Sequence, residues 1–389
     1  TPDERIRLID PVPAGGLRCR PTFTSCGIVW GAPQEILGLV LEYFPKEDEG
    51  RSLSAEIPYF PEVKNYRGSL MDLSEDTEYV VRFAADGKTL ATGSFRTWKS
   101  DVPVARTVVI DPDRFTAPYV ISARGRPDGW IRYVAKDGRP IVNTTDDVPL
   151  FVKGAAYVIL EGIDLKGGPA QHCVVIEDST GVRIRNCEFS EWGRDALMHF
   201  FPCRGRWSHI LPNGEYETLN YDGAIRIGRR SRETVVERCY VHDARYPSSS
   251  WIHSHPAGPE AVFMAKPDHS TVLRWNDFVG SDKNRWNDAV ESAGNFDEDG
   301  GFNRDADIYG NFMIFANDDC IELDGGNQNV RCRYNRFEGA LCPVSVQGTM
   351  VSPTYVTDNL ILATVEEHGL ESIALKTCGS DMLGKGTVI

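Results

Sequence analysis

The chain has 389 residues, 41% of them hydrophobic, and carries 56 Asp and Glu against 42 Lys and Arg, a formal net charge of −14. That balance argues against nucleic acid and anionic membrane as partners, because both need a basic face. No apolar run approaches the roughly 20 residues of a membrane span. The length exceeds one ordinary core, so two domains are expected, and nothing in the sequence fixes an oligomeric state.

The first domain is expected over residues 1–103. Thr1-Pro-Asp-Glu does not resemble a signal peptide, so an exported chain would already have lost one; a secreted, periplasmic or cell-surface location is the expectation. Short apolar runs at 25–31, 38–44, 78–83 and 91–98, separated by turn residues, read as strands of a small β-sandwich. The run Leu70-Met-Asp-Leu-Ser-Glu-Asp-Thr77-Glu-Tyr79 resembles the tyrosine corner of fibronectin type III domains, which implies a spacer or packing module without catalysis, with Trp30 and Trp98 in its core. Ten cysteines are scattered without CxxC pairs, and Cys19 and Cys26 are close enough in sequence to bridge.

A linker near 99–105 leads to the second domain, 104–389. Short β-rich runs ending in turn residues recur there, with anchors at Gly162, Asn186, Arg238, Asn276, Asn311, Asn335 and Asn359, and three of the six spacings equal 24. A fixed period of this size, without amphipathic helical runs, marks a solenoid. Three short strands and three turns per coil, stacked about 4.8 Å apart, give a right-handed parallel β-helix. The recurrent Asn is then expected to stack as a ladder at one turn. The fold class is therefore all-β, a parallel β-helix preceded by a small sandwich.

Extra length falls on three coils, near 191–222, 243–260 and 280–293, each after the Asn turn, so all three should wall one cleft. Trp251, His253, His255, Arg285 and Trp286 in these insertions, Arg226 beside them and Gln347 on a later coil are the candidate substrate contacts. Aromatic faces stack on sugar rings, and basic groups match acidic sugars. For Arg226 a solvated turn is the plainer alternative, and the two histidines lack the carboxylate spacing of a metal site.

Two acidic segments complete the pattern. Sliding 294–303 onto 317–327 by 24 residues sets Glu298 over Glu322, Gly301 over Gly325 and Asn303 over Asn327. Asp297, Glu298 and Asp299 in the first segment and Asp318, Asp319, Glu322 and Asp324 in the second are the candidate catalytic groups. Carboxylates stacked one coil apart cannot all ionise cheaply, so one becomes a general acid while another stays a base. No cofactor is expected, although calcium suits the same oxygens.

Asn317-Asp318-Asp319-Cys320-Ile321 resembles the Asp-Asp-Cys-Ile run of polygalacturonases, which are parallel β-helix glycoside hydrolases, and α-1,3-galactosidases are similar to the same degree. The resemblance implies acid and base roles for Asp318, Asp319 and one of Asp297 or Asp299, on a polysaccharide or oligosaccharide substrate. The family's Gly-His-Gly turn is replaced here by Ala340-Leu-Cys-Pro-Val344, and its Arg-x-Lys is missing. A calcium-dependent polysaccharide lyase, with Lys266, Lys283 or Arg285 as base, and a non-catalytic glycan-binding module are the competing expectations.

Overall fold

A computed structural model describes residues 12–201, 204–365, 371–377 and 387–388. Strands dominate, and the described residues contain three single-turn 3-10 helices and no α-helix. None of their helices is long and apolar enough to cross a membrane.

Residues 17–96 form two antiparallel four-stranded sheets. Alternation on Glu78–Ala85 buries Tyr79, Val81 and Phe83 against Trp30, which stacks on Phe83 at 4.7 Å. The Tyr79 hydroxyl accepts from the Ser74 amide at 2.9 Å, as a tyrosine corner does. Cys19 and Cys26 both remain free thiols, as do the other described cysteines.

From Val104 onward the chain winds through three parallel sheets. Sheet I has ten strands, from Val104–Ile110 to Thr387–Val388; sheet II has eight, from Ile141–Val142 to Leu360–Thr364; sheet III has nine, from Tyr119–Ile121 to Leu375–Lys376. Each regular coil crosses them in that order, as in Ala156–Glu161, Asp164–Gly168 and Val174–Glu177. Inward residues make one continuous apolar core; in sheet III these are Leu150, Val174, Ile225, Val262, Val290, Ile321 and Val344, which follow one another in register. This is a parallel β-helix.

The ladder forms between sheets I and II. Each side-chain amide donates to the next coil's side-chain oxygen: Asn276 to Asn311 at 2.9 Å, Asn311 to Asn335 at 2.9 Å and Asn335 to Asn359 at 3.0 Å. Asn186 does not belong to it. Register places Asn186 and Arg238 level with Trp275, and all three take the left-handed conformation that precedes the ladder position. Cys187 and Cys239 stand where the Asn would be, and the Cys239 amide donates to Asn276 Oδ1 at 3.0 Å. The one-residue slip was hidden because the repeat passes through coils of irregular length.

The antiparallel sheets lie against the outer face of sheet I through ion pairs and hydrogen bonds made by buried arginines of that sheet. Arg274 bridges Glu237 at 2.5 Å and Glu75 at 3.0 Å, Arg333 meets Asp72 at 2.5 Å, and Arg331 holds Asp307 at 2.7 Å while also reaching Ser69. Gly27 permits this approach, since a Cβ there would strike the Asp305 carboxylate. Burial would raise Asp307, but Arg331 and Arg333 outweigh it and hold the carboxyl below its usual range.

Candidate active site on sheet III

All three long insertions leave the solenoid between sheets II and III. The first adds a small antiparallel sheet from Leu197–Phe201, Arg204–Ile210 and Tyr216–Thr218. They are tied together: Arg206 donates to Ser254 at 2.8 Å, His253 meets Phe200 edge-on at 5.6 Å, and Asn284 donates to Asp243 at 3.3 Å. A fourth excursion, 293–306, lies at the opposite edge of sheet III, on the way back to sheet I. The outer face of sheet III therefore runs between two banks.

Carboxylates crowd this face. Val290 pairs with Ile321, so Glu291 lies beside Glu322. The same outward column continues from Arg226 through Phe263 on one side and to Ser345 and Lys376 on the other. Two residues upstream of the inward Val262, Val290 and Ile321 stand Glu260, Asp288 and Asp319, all buried. Asp318 completes the group: one carboxyl oxygen from each of Asp288, Asp318 and Asp319 lies within 4.8 Å of the others.

A lysine, a histidine and several amides bind the cluster. Lys376 Nζ is 2.7 Å from Asp319 Oδ2 and 3.3 Å from Asp318 Oδ1. His255 Nε2 reaches Asp318 Oδ2 at 3.1 Å from the second insertion. Asn295 donates to Glu322 at 2.7 Å from the opposite bank, and Asn287 donates to Glu291 at 2.8 Å. Asp324 accepts from the Ser345 hydroxyl at 2.9 Å, with the Gln347 backbone amide also beside it. Asp319 Oδ1 is buried without a hydrogen-bond partner.

These surroundings separate the carboxyls by affinity for a proton. Burial and the neighbouring Asp318 push Asp288 up to about 7, and burial with Glu322 pushes Asp324 up to about 8. Asp319, Glu291 and Glu260 are raised well above the usual range, chiefly by burial, and Glu322 is raised for the same reason. Asp318 goes the other way: burial would raise it, but the His255 hydrogen bond and the Lys376 charge hold it low. His255 is raised in turn by that bond.

Of the sequence candidates, Asp318, Asp319, Glu322 and Asp324 meet here. Asp297, Glu298 and Asp299 do not. The register is 31 between Val290 and Ile321 but 24 between Asp307 and Arg331, so this coil is seven residues longer than a regular one. Those residues carry the acidic run outward, where Asp297 pairs with Lys266 at 2.8 Å and Asp299 with Arg229 at 3.3 Å. Glu322 therefore lies over Glu291, not Glu298. The 24-residue match survives only near the end of the excursion, where the Phe302 amide donates to Asn327 and the Gln328 amide to the Asn303 carbonyl.

Among the expected substrate contacts, His255 touches the cluster and Trp251 rests on it, ring centroids 4.7 Å apart. Arg226 shares the outer face but is paired with Glu177 at 2.8 Å. His253 turns to the first insertion, and Arg285 is paired with Asp282 at 3.0 Å beside a small cavity near Asn317. Trp286 is a correction: it is fully buried and stacks on Trp192 at 5.9 Å inside the solenoid, so it touches no ligand.

Sequence reasoning missed Asp288, Glu291, Glu260, Lys376 and Tyr221. Asn287-Asp288-Ala-Val-Glu291 set against Asn317-Asp318-Asp-Cys-Ile-Glu322 was a readable signal for the first two. Tyr221 is half exposed, stacks on Phe263 at 4.8 Å, and its hydroxyl is pushed up to about 12 by burial and by Glu291 and Glu322. Lys376 carried no signal, since it lies on a two-residue strand of the last described coil of this sheet.

No protein-family model matches the chain, and no curated protein does. Among solved structures it is similar to a Family 28 exopolygalacturonase of Yersinia enterocolitica, with TM-score 0.31 and 10% identity over 94% of this chain and 84% of that one. An alginate lyase from Paenibacillus sp. gives TM-score 0.32 and 10% identity over 73% and 99%. The catalytic domain of a GH87 alpha-1,3-glucanase, solved with nigerose, gives TM-score 0.29 and 9% identity over 97% and 91%. The parallel β-helix itself rests on the chain's own strand pairings.

Proposed function

We propose that the chain is a glycoside hydrolase acting on a polysaccharide or oligosaccharide held across the outer face of sheet III. The observation that carries this reading is the split within one cluster: Asp318 is held ionised while Asp288, within 4.8 Å, keeps its proton to about 7. Glycosidic cleavage asks for such a pair, an acid to protonate the leaving oxygen and a carboxylate on the reacting carbon or its water. Asp288 and Asp319 share the acid role, because their titrations are linked through Asp318. Lys376 and His255 keep Asp318 charged. Tyr221 on Phe263 offers a ring face for the sugar, and Asn295 with Glu322 accounts for hydroxyl contacts. A secreted location belongs to the same proposal, as its substrate is a polymer outside the cell.

A second reading, a calcium-dependent polysaccharide lyase, draws on the same three oxygens, which suit a hard cation. Lys376 already neutralises Asp318 and Asp319, which favours the hydrolase. Incubation with a panel of plant, algal and host glycans tests both. New reducing ends without ultraviolet absorbance, unaffected by EDTA, support hydrolysis; EDTA-sensitive, absorbing unsaturated products support the lyase. No product from any glycan would leave a binding module.

A further inference from the structure

The junction between the antiparallel sheets and sheet I encloses a separate cavity of about 410 Å³, none of whose walls belongs to the carboxylate cluster. That volume lies within the span of small-molecule sites, about 300–1,000 Å³. Trp98, placed by sequence in the sandwich core, instead lines it and is partly buried against Phe23. Facing it are three residues at one position on successive coils, Tyr157, Gly181 and Glu233, each just after the in-register Ala156, Thr180 and Arg232. All three are left-handed, with φ of 51°, 64° and 55°.

Their chemistry divides the labour. At Gly181 a Cβ would come 2.9 Å from the Tyr157 ring and 3.5 Å from Trp130, so the bare backbone gives the aromatic pair its seat. Tyr157 and Trp130 meet edge to face at 5.4 Å and 76° in a corner where buried Trp130 backs the partly exposed Tyr157 ring, which lines the cavity. Arg183 is spent on building the wall: it donates to the Ser100 and Lys99 carbonyls at 2.7 and 2.9 Å and lies 4.9 Å over Trp130. Glu233 is different. Half buried and left-handed, it donates its backbone amide to the His269 carbonyl at 3.1 Å, but its carboxyl has no hydrogen bond or ion pair among the described residues, and burial raises it. Conformation and burial are both unfavourable for a glutamate whose carboxyl lacks a partner, and such positions collect where ligands bind.

We propose that this cavity binds a neutral saccharide unit, with the sugar's C–H face on the Tyr157 ring and its hydroxyls donating to Glu233. Lys99 and Arg183 at the walls disfavour a cationic ligand for the same aromatic corner. The site stands whether or not the chain hydrolyses anything. On a polymer cut at sheet III it would act as a second hold, raising the effective concentration of the chain being cut.

The test uses the full chain carrying Asp288→Asn, Asp318→Asn and Asp319→Asn together, so that any turnover is removed and binding is read alone. Cellobiose, lactose, chitobiose and tetramethylammonium are titrated by calorimetry. At least one disaccharide should bind, and adding Glu233→Gln or Tyr157→Ala should weaken it by about tenfold or more, the scale of one lost hydrogen bond to a charged group. Unfolding temperatures check that both variants fold; if Tyr157→Ala does not, Glu233→Gln decides alone. Absence of binding by all three disaccharides, or binding unmoved by the substitutions, overturns the proposal. Glu233-dependent capture of tetramethylammonium overturns it in favour of a cation cage.

Discussion

Lys376 and Asp319 are 57 positions apart in sequence, yet the lysine ammonium sits 2.7 Å from the aspartate carboxylate at the centre of the acidic face. A single cation from the last described strand of sheet III thus bridges two carboxyls that the preceding coils bury and balances the negative charge held on Asp318. In Lys376→Met that pair loses its counter-charge, and Asp318 should take up a proton more readily. The expected outcome is an acid limb of the activity profile displaced to higher pH, checked by pH-dependent turnover on a substrate found by screening.

Asp288→Asn, Asp318→Asn and Asp319→Asn test the acid and base directly. Loss of an essential proton-transfer group costs about 10² to 10⁴ in rate. At least one of the three should fall by that much with its unfolding temperature preserved, and Asp297→Asn and Asp299→Asn should stay near wild-type turnover. Full activity in all three would remove the cluster from the chemistry.

The pH dependence has a defined sign. Turnover needs Asp318 ionised and a proton kept on Asp288, so activity should fall as pH rises through about 7. Stability should follow a similar course. Asp288 and Asp324 hold protons in the folded state to about 7 and about 8, above their unfolded values, so the folded chain binds more protons in that window. Their contribution is complete below the unfolded value of about 4 and is lost as pH rises through the folded values. Thermal unfolding from pH 5 to 9 should show a declining Tm, and Asp324→Asn should flatten it.

Arg274→Met should destabilise strongly, because it leaves Glu237, only 1% exposed, with the distant Arg238 guanidinium at 3.8 Å as its remaining counter-charge. Removing one partner of a buried pair typically costs about 3–5 kcal/mol. Denaturant unfolding of the full chain measures it.

In the ladder, Asn311→Ala removes a side chain that donates to Leu273 and Asn335 and accepts from the backbone and side-chain amides of Asn276. Stranding those buried groups should cost about 1–3 kcal/mol. The same change at Asn186, whose side chain lies outside the ladder, should have a smaller effect, and the two unfolding free energies compared side by side decide it.

Much of the architecture could be read from the repeat, because stacking forces Asn276, Asn311, Asn335 and Asn359 into one turn and fixes their spacing by coil length. The repeat misled where a coil carried extra residues. Asn186 was matched one place out, and Glu298 was matched to Glu322 although seven added residues had carried it off the sheet. Asp318 and Asp319 were visible as a local run. Their partner Asp288 falls outside the period, since its distance from them is set by a coil of irregular length. Trp286 looked like a ligand contact because composition cannot tell a loop aromatic from one folded back into the core. Lys376 shows the opposite limit: its importance comes from register alone, which no local pattern announces.

The buried contacts between the antiparallel sheets and sheet I reach from Arg183 to Tyr355, whose positions fall in register across six successive coils. A solenoid by itself behaves as a spring, each turn held only by its neighbours and free to fray from either end. Here the antiparallel sheets of residues 17–96 act as a splint fastened along that spring, so that pulling one coil away must also strip ion pairs and hydrogen bonds from the others. The chain should consequently come apart in one step, and the groove on the far side should keep its pitch while a long, stiff ligand tugs at it.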